Sequence, residues 1–175
     1  LVDLLFAIDP GIRGTGVAFF HKGNLVSTRN ITPPIADDWR DATLTVVNKI
    51  HEYIEVQLKS VNSKLLFSIM CEWPHYMEHA AGIAANTQGD ILKLAYFIGA
   101  LEHSMDQWGT VDNKNAVSFD LVEVRTWKGQ LAKAEVINRI KARLPAETLT
   151  QVKPTSHSWD AIGIGMYTLG IKLSG

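Results

Sequence analysis

Leu4-Leu5-Phe6-Ala7-Ile8-Asp9-Pro10-Gly11-Ile12-Arg13-Gly14-Thr15-Gly16-Val17-Ala18 is the stretch on which the fold turns. Its first five residues are continuously apolar and are followed by turn formers, the pattern of a short strand buried on both faces. Asp9 leaves that strand. Pro10 cannot donate to a sheet ladder, and Gly11, Gly14 and Gly16 permit a tight turn and a close approach of backbone to a ligand. A carboxylate at the end of a buried strand is costly to desolvate unless something pairs with it.

Two further acidic residues stand in similar apolar settings. Glu72 ends Leu65-Leu66-Phe67-Ser68-Ile69-Met70-Cys71, a second buried strand, and Asp160 lies in Ser156-His157-Ser158-Trp159-Asp160-Ala161-Ile162-Gly163. Three such carboxylates, if they converge, require cations, and hard oxygen donors suit magnesium or manganese. A pair of such ions about 3.5–4 Å apart is a recurrent device for phosphodiester chemistry, so the acidic set points to a nuclease.

The remaining pattern supplies the frame. Residues 15–21 and 24–32 read as a hairpin around Lys22-Gly23-Asn24. Asp37-Asp38 opens a helix to about Lys59, with Leu44, Val47, Ile50, Ile54 and Leu58 at helical spacing. A long apolar helix is expected over 83–107, with a break near Gly89-Asp90, and a third buried strand over 117–124. Ala132 to Leu144 reads as a basic amphipathic helix stopped by Pro145. Residues 146–156 read as a polar connector, and Ser156 as the N-cap of a last helix to about Leu169. Two β-α-β crossovers imply parallel pairing and the hairpin implies antiparallel pairing. The expectation is an α/β protein: one domain over residues 1–175, with a mixed five-stranded sheet and helices on both faces.

Composition narrows the class. The 175 residues are 46% hydrophobic, enough for a sizeable core. No stretch approaches a membrane span, and the first residues do not read as a signal peptide. The single Cys71 excludes a disulfide framework and a Cys-rich zinc site, and fits a reducing compartment. A net charge of −1 does not advertise a nucleic-acid binder. The basic residues are nevertheless concentrated: Arg125, Lys128, Lys133, Arg139, Lys141 and Arg143 face only Glu135 between positions 125 and 143, a local +5. Such a run is either a solvated helix face or a phosphate-binding surface.

Each motif has a rival. The Asp9 turn resembles the phosphate loop of actin-like and sugar-kinase ATPases, but those enclose a nucleotide between two lobes and this chain is short for both. His75-Tyr76-Met77-Glu78-His79 matches the H-x-x-E-H pattern of inverted zinc peptidases. It directly follows a strand and a proline, with no third ligand evident, and reads better as a groove lining in which Trp73, His75 or Tyr76 offers a stacking surface. His157 and Asp160 are three apart and share a helix face; His157 can ligate a metal or handle protons. Lys128 and Lys133 can hold a phosphate or stabilise developing charge.

The IDPG-x-x-x-TG run at Asp9, Glu72 at a later strand end, and the terminal His157-x-x-Asp160-Ala together resemble the RuvC-type Holliday junction resolvases. The resemblance extends from Leu4 to about Leu169, and the segments around Trp127-Lys128-Gly129 and Ser156–Gly163 look like the phage-encoded branch. It implies an RNase H-like fold and a homodimer in the cytoplasm of a bacterial or phage-infected cell. The implied reaction is cleavage of four-way and other branched DNA with two magnesium ions per site, manganese substituting, and no nucleotide cofactor. Asp9, Glu72, His157 and Asp160 are the implied metal set, with Asp9 bridging; Lys128 and Lys133 are the implied active-site lysines. The expected DNA contacts are Arg13, His75, Tyr76, Arg125, Lys128, Lys133 and Arg139. His75 stands where some members carry an aromatic wedge. The family's dimer helix would fall near Ile91–Met105, where Leu94, Phe97, Ile98 and Leu101 serve equally well as core. Paired nicks leaving 5′-phosphate and 3′-hydroxyl ends would follow. A ribonuclease H, a DNA-packaging nuclease and a catalytically idle junction-binding protein are the competing readings.

Overall fold

The computed structural model describes residues 3–61, 66–74, 89–111 and 117–173. Strands β1 (Leu4–Asp9), β2 (Thr15–His21) and β3 (Asn24–Ile31) form an antiparallel meander. Helix α1 (Trp39–Ser60) leads to β4 (Phe67–Trp73), and helix α2 (Asp90–Val111) leads to β5 (Val117–Glu123). Both crossovers return in parallel, so the sheet runs β3-β2-β1-β4-β5. Four helices follow: α3 (Val124–Trp127), α4 (Lys133–Arg143), α5 (Ala146–Val152) and α6 (Ser156–Thr168). Among the described residues no helix is long and apolar enough to cross a membrane.

Period-two alternation along β1 builds two cores. Leu4, Phe6 and Ile8 face α1 and α2, joining Ile50, Ile54, Ile98 and Leu101. Phe6 stacks on Phe19 at 4.7 Å and meets Tyr53 and Phe67 edge-on. Leu5 and Ala7 face the opposite way, onto Trp127, Val136 and the apolar side of α6. The expected helices on both faces of a mixed five-stranded sheet are therefore present.

Several local expectations need correction. Asp38 caps α1 by accepting from the Arg40 backbone N–H at 2.8 Å, but Leu44 points outward while Val46 and Tyr53 fill the core. β5 is an edge strand with exposed Ser118, Asp120 and Leu121, because the strand order leaves it one neighbour. Within the expected connector, 146–152 is helical: Val152 packs on the second core, and Lys153 ends the helix in a left-handed conformation. The last helix is capped by Thr155, with Ser156 as its first residue. On α2, Phe97, Ile98 and Leu101 are buried within the chain, so the core reading of that face holds. The expected part of that helix before Gly89 lies outside the described residues.

Candidate active site

Alternation and register bring the first two acids together. Asp9 follows Leu5 and Ala7 onto the α6 side of the sheet, and is 8% exposed. Ile8 stands opposite Cys71 in the parallel β1–β4 pair, so Glu72 emerges beside Asp9 at the carboxyl ends of both strands. In open α/β sheets ligands bind at such strand ends, where the connections diverge; here β1 has an antiparallel neighbour on one side and a parallel one on the other.

The first turn of α6 closes the site from above. His157 Nδ1 lies 3.1 Å from Asp9 Oδ2. Gly16 makes that approach possible, since a Cβ there would collide with the His157 carbonyl oxygen. Asp160, one turn on, is reached by two lysines from the segment after β5. Lys133 Nζ donates to Asp160 Oδ2 at 2.5 Å, and Lys128 Nζ stands 4.0 Å from Asp160 Oδ1. The latter oxygen is buried without a hydrogen-bond partner.

Glu72 has a partner the sequence reading did not assign. The Trp127 indole N–H donates to Glu72 Oε2 at 2.8 Å. Trp127 is 1% exposed and lies against Gly163 of α6. Trp127 was visible only as part of a motif. Its link to a carboxylate 55 residues earlier depends on how α3 folds back over β4, which no local pattern encodes.

The electrostatics are those of a largely buried acidic cluster. Burial raises the Asp9 pKa, against the lowering effect of its His157 hydrogen bond, and the Asp160 charge raises it further. Burial, then the nearby Asp9 charge, pushes Glu72 up to about 7. The hydrogen bond to Asp9 raises His157, against a smaller opposing effect of burial. Among the described residues no three His, Cys, Asp or Glu side chains are closed into a coordination shell. Each carboxylate is instead held by its own partner: Asp9 by His157, Glu72 by Trp127, Asp160 by Lys133. The donor chemistry suits a hard divalent cation. The Asp160 oxygen without a hydrogen-bond partner is an acceptor open to such a cation, and burial, the main cause of the raised pKa values of Asp9 and Glu72, favours their neutral forms unless a positive charge stands beside them.

The remaining expected contacts divide. Arg13, in the turn after Asp9, and Arg125, on α3, are exposed. Arg139 is committed elsewhere: it donates to Glu135 at 2.7 Å and to the Leu173 carbonyl at 2.5 Å, tying α4 to the C-terminal segment. His75 and Tyr76 lie outside the described residues.

The sheet order, the mixed strand directions and the acids at the strand ends define an RNase H-like α/β fold. No protein-family model matches the chain, and no curated protein matches it in sequence. Among solved structures it is similar to Thermus thermophilus RuvC in complex with a Holliday junction substrate, with a TM-score of 0.59 and 16% identity over 96% of each chain. It is similar also to another Thermus thermophilus RuvC structure, with a TM-score of 0.56 and 17% identity, covering 96% of this chain and 97% of that one. At this identity the likeness is one of fold.

Proposed function

We propose that this chain is a divalent-metal-dependent endonuclease that resolves four-way and other branched DNA by paired phosphodiester hydrolysis. The observation that carries the reading is the meeting of Asp9, Glu72, His157 and Asp160 at the carboxyl ends of β1 and β4, with Lys128 and Lys133 alongside. The fold likeness to a protein solved with a Holliday junction supports the choice of branched DNA.

Asp9, Glu72, Asp160 and His157 would hold magnesium, or manganese in its place, two ions to a site. When bound, these ions supply positive charge at the scissile phosphate and ease deprotonation of the attacking water. The chain's own groups do the rest. Lys133 releases Asp160 and turns its ammonium to a phosphate oxygen, where Lys128 assists. His157 keeps Nδ1 on Asp9, leaving Nε2 as the one nitrogen that would either complete the metal set or, in place of that, take up a proton. Asp9 orients that imidazole. Exposed Arg13 and Arg125 would serve as phosphate contacts, which makes binding salt-sensitive. A two-fold dimer would set two such sites against opposite strands; Leu92 and Tyr96 on α2 are exposed and offer apolar surface for it. The products would be nicks with 5′-phosphate and 3′-hydroxyl ends.

The test is cleavage of a labelled four-way junction beside a linear duplex and an RNA–DNA hybrid, with magnesium, manganese or EDTA, by the intact protein and by Asp9→Asn. Paired metal-dependent nicks in the junction alone, absent in Asp9→Asn, are the expected result. Cutting of the hybrid or of linear duplex would replace the substrate while keeping the chemistry. Tight junction binding without cutting in either metal would leave a binding protein with an idle site.

A further inference from the structure

We infer that Trp127 is the positioning residue for Glu72, fixing which carboxylate oxygen faces the site and coupling β4 to α6. The inference rests on the metal-dependent reading above and extends it to a residue outside the acidic set. The indole N–H occupies Glu72 Oε2 at 2.8 Å, which leaves Oε1 as the oxygen free for a cation. Trp127 is buried, and its ring is clamped from the other side by Gly163, where a Cβ would come within 2.5 Å of the ring. Gly163 lies three residues beyond Asp160 on the same helix. One rigid side chain therefore touches the carboxylate of β4 and the helix that carries His157 and Asp160. Trp127 itself follows β5 and precedes Lys128, whose ammonium lies 5.8 Å from the indole ring centre. Displacing the indole would move three site groups at once: Glu72 by loss of its donor, Asp160 through α6, and Lys128 through the backbone. An indole has one donor and no acceptor, so it can hold a carboxylate but cannot compete for the metal. Partners that orient a ligand in this manner typically contribute about 10–100-fold in metal affinity.

The test measures manganese binding to the intact protein by calorimetry and by electron paramagnetic resonance, without DNA or turnover. Trp127 is replaced by benzothienylalanine, which keeps the ring shape and removes the N–H. Trp127→Phe serves as a second variant, and near-ultraviolet circular dichroism verifies the fold of both. The expected result is an affinity about 10-fold weaker for each, with an altered manganese spectrum. In a Glu72→Gln background the same replacements should cost clearly less than in the unsubstituted protein, because the part of the loss that runs through the Trp127–Glu72 bond is already gone. Unchanged affinity in both variants would overturn the inference, as would an equal loss in the Glu72→Gln background, which marks a merely structural role. If the unsubstituted protein binds no manganese at all, the metal reading itself fails, and the inference with it.

Discussion

Replacing Glu72 with Gln should make the metal-free protein more stable, and only where the carboxylate would be charged. Unfolded, a Glu side chain titrates near 4.5; folded, Glu72 is pushed to about 7 by burial and by Asp9. A folded-state pKa above the unfolded one means that the native state prefers the proton. The associated stability is complete below about pH 4.5 and is lost as pH rises through about 7. The gap between those two values corresponds to about 3 kcal/mol withheld from the native state at pH 8. For a chain of this size that is about 6–12 °C in Tm. Gln resembles the protonated acid and still offers a carbonyl oxygen to the Trp127 N–H, so it removes the charge and keeps the contact. The assay is thermal unfolding in EDTA at pH 4.5 and pH 8 by circular dichroism, repeated with added magnesium. The variant should exceed the wild type at pH 8 by several degrees and differ by less than about 0.5 kcal/mol at pH 4.5. Magnesium should stabilise the wild type more than the variant. Equal stability at pH 8, or a gap independent of pH, would refute the claim that Glu72 is a carboxylate buried for a cation.

Three other outcomes are expected. Lys133→Met removes the partner of Asp160 Oδ2 and the ammonium proposed to reach the phosphate; cleavage should fall about 10²–10³-fold while manganese binding measured by calorimetry persists. Gly165→Ala places a Cβ against the buried Phe20 ring, with Cζ at 2.8 Å and Cδ2 at 2.9 Å. Overpacking of about 1–3 kcal/mol should outweigh a helix-propensity gain of about 1 kcal/mol, and chemical denaturation should show a net loss. Tyr53 is held neutral to about pH 12 by burial, chiefly, although its hydrogen bond with Ser27 acts in the opposite direction. Its raised folded pKa means stability present below pH 10 and lost between 10 and 12; alkaline unfolding should shift upward in Tyr53→Phe, monitored by circular dichroism.

Much of the frame was legible because it is written in local patterns. The apolar run before Asp9 is buried on both faces and the run before Glu72 on one, and both are continuous enough to mark inner strands. Helical spacing announced α1 and α4, and the small apolar residues after Asp160 announced α6. The same locality explains the errors. Leu44 fits the apolar stripe of α1, but the helix's rotation on the sheet turns it outward. Arg139 reads as one more charge in a basic run, and only the return of the C-terminal segment gives it the Leu173 carbonyl.

The sequence by itself determined the strands, the strand ends that carry Asp9 and Glu72, and the helix turn that carries His157 and Asp160. A hydrophobic period of two or 3.6 residues is a property of neighbours along the chain. Only the tertiary structure decided that these groups share one face, that Lys133 stands closer to Asp160 than Lys128 does, and that Trp127 holds Glu72. Those pairings join residues 27, 55 and 148 positions apart. They exist only after two crossovers have placed β1 beside β4 and α6 across them, because hydrogen bonds and screened charges act over a few ångströms of space, whatever the distance along the chain.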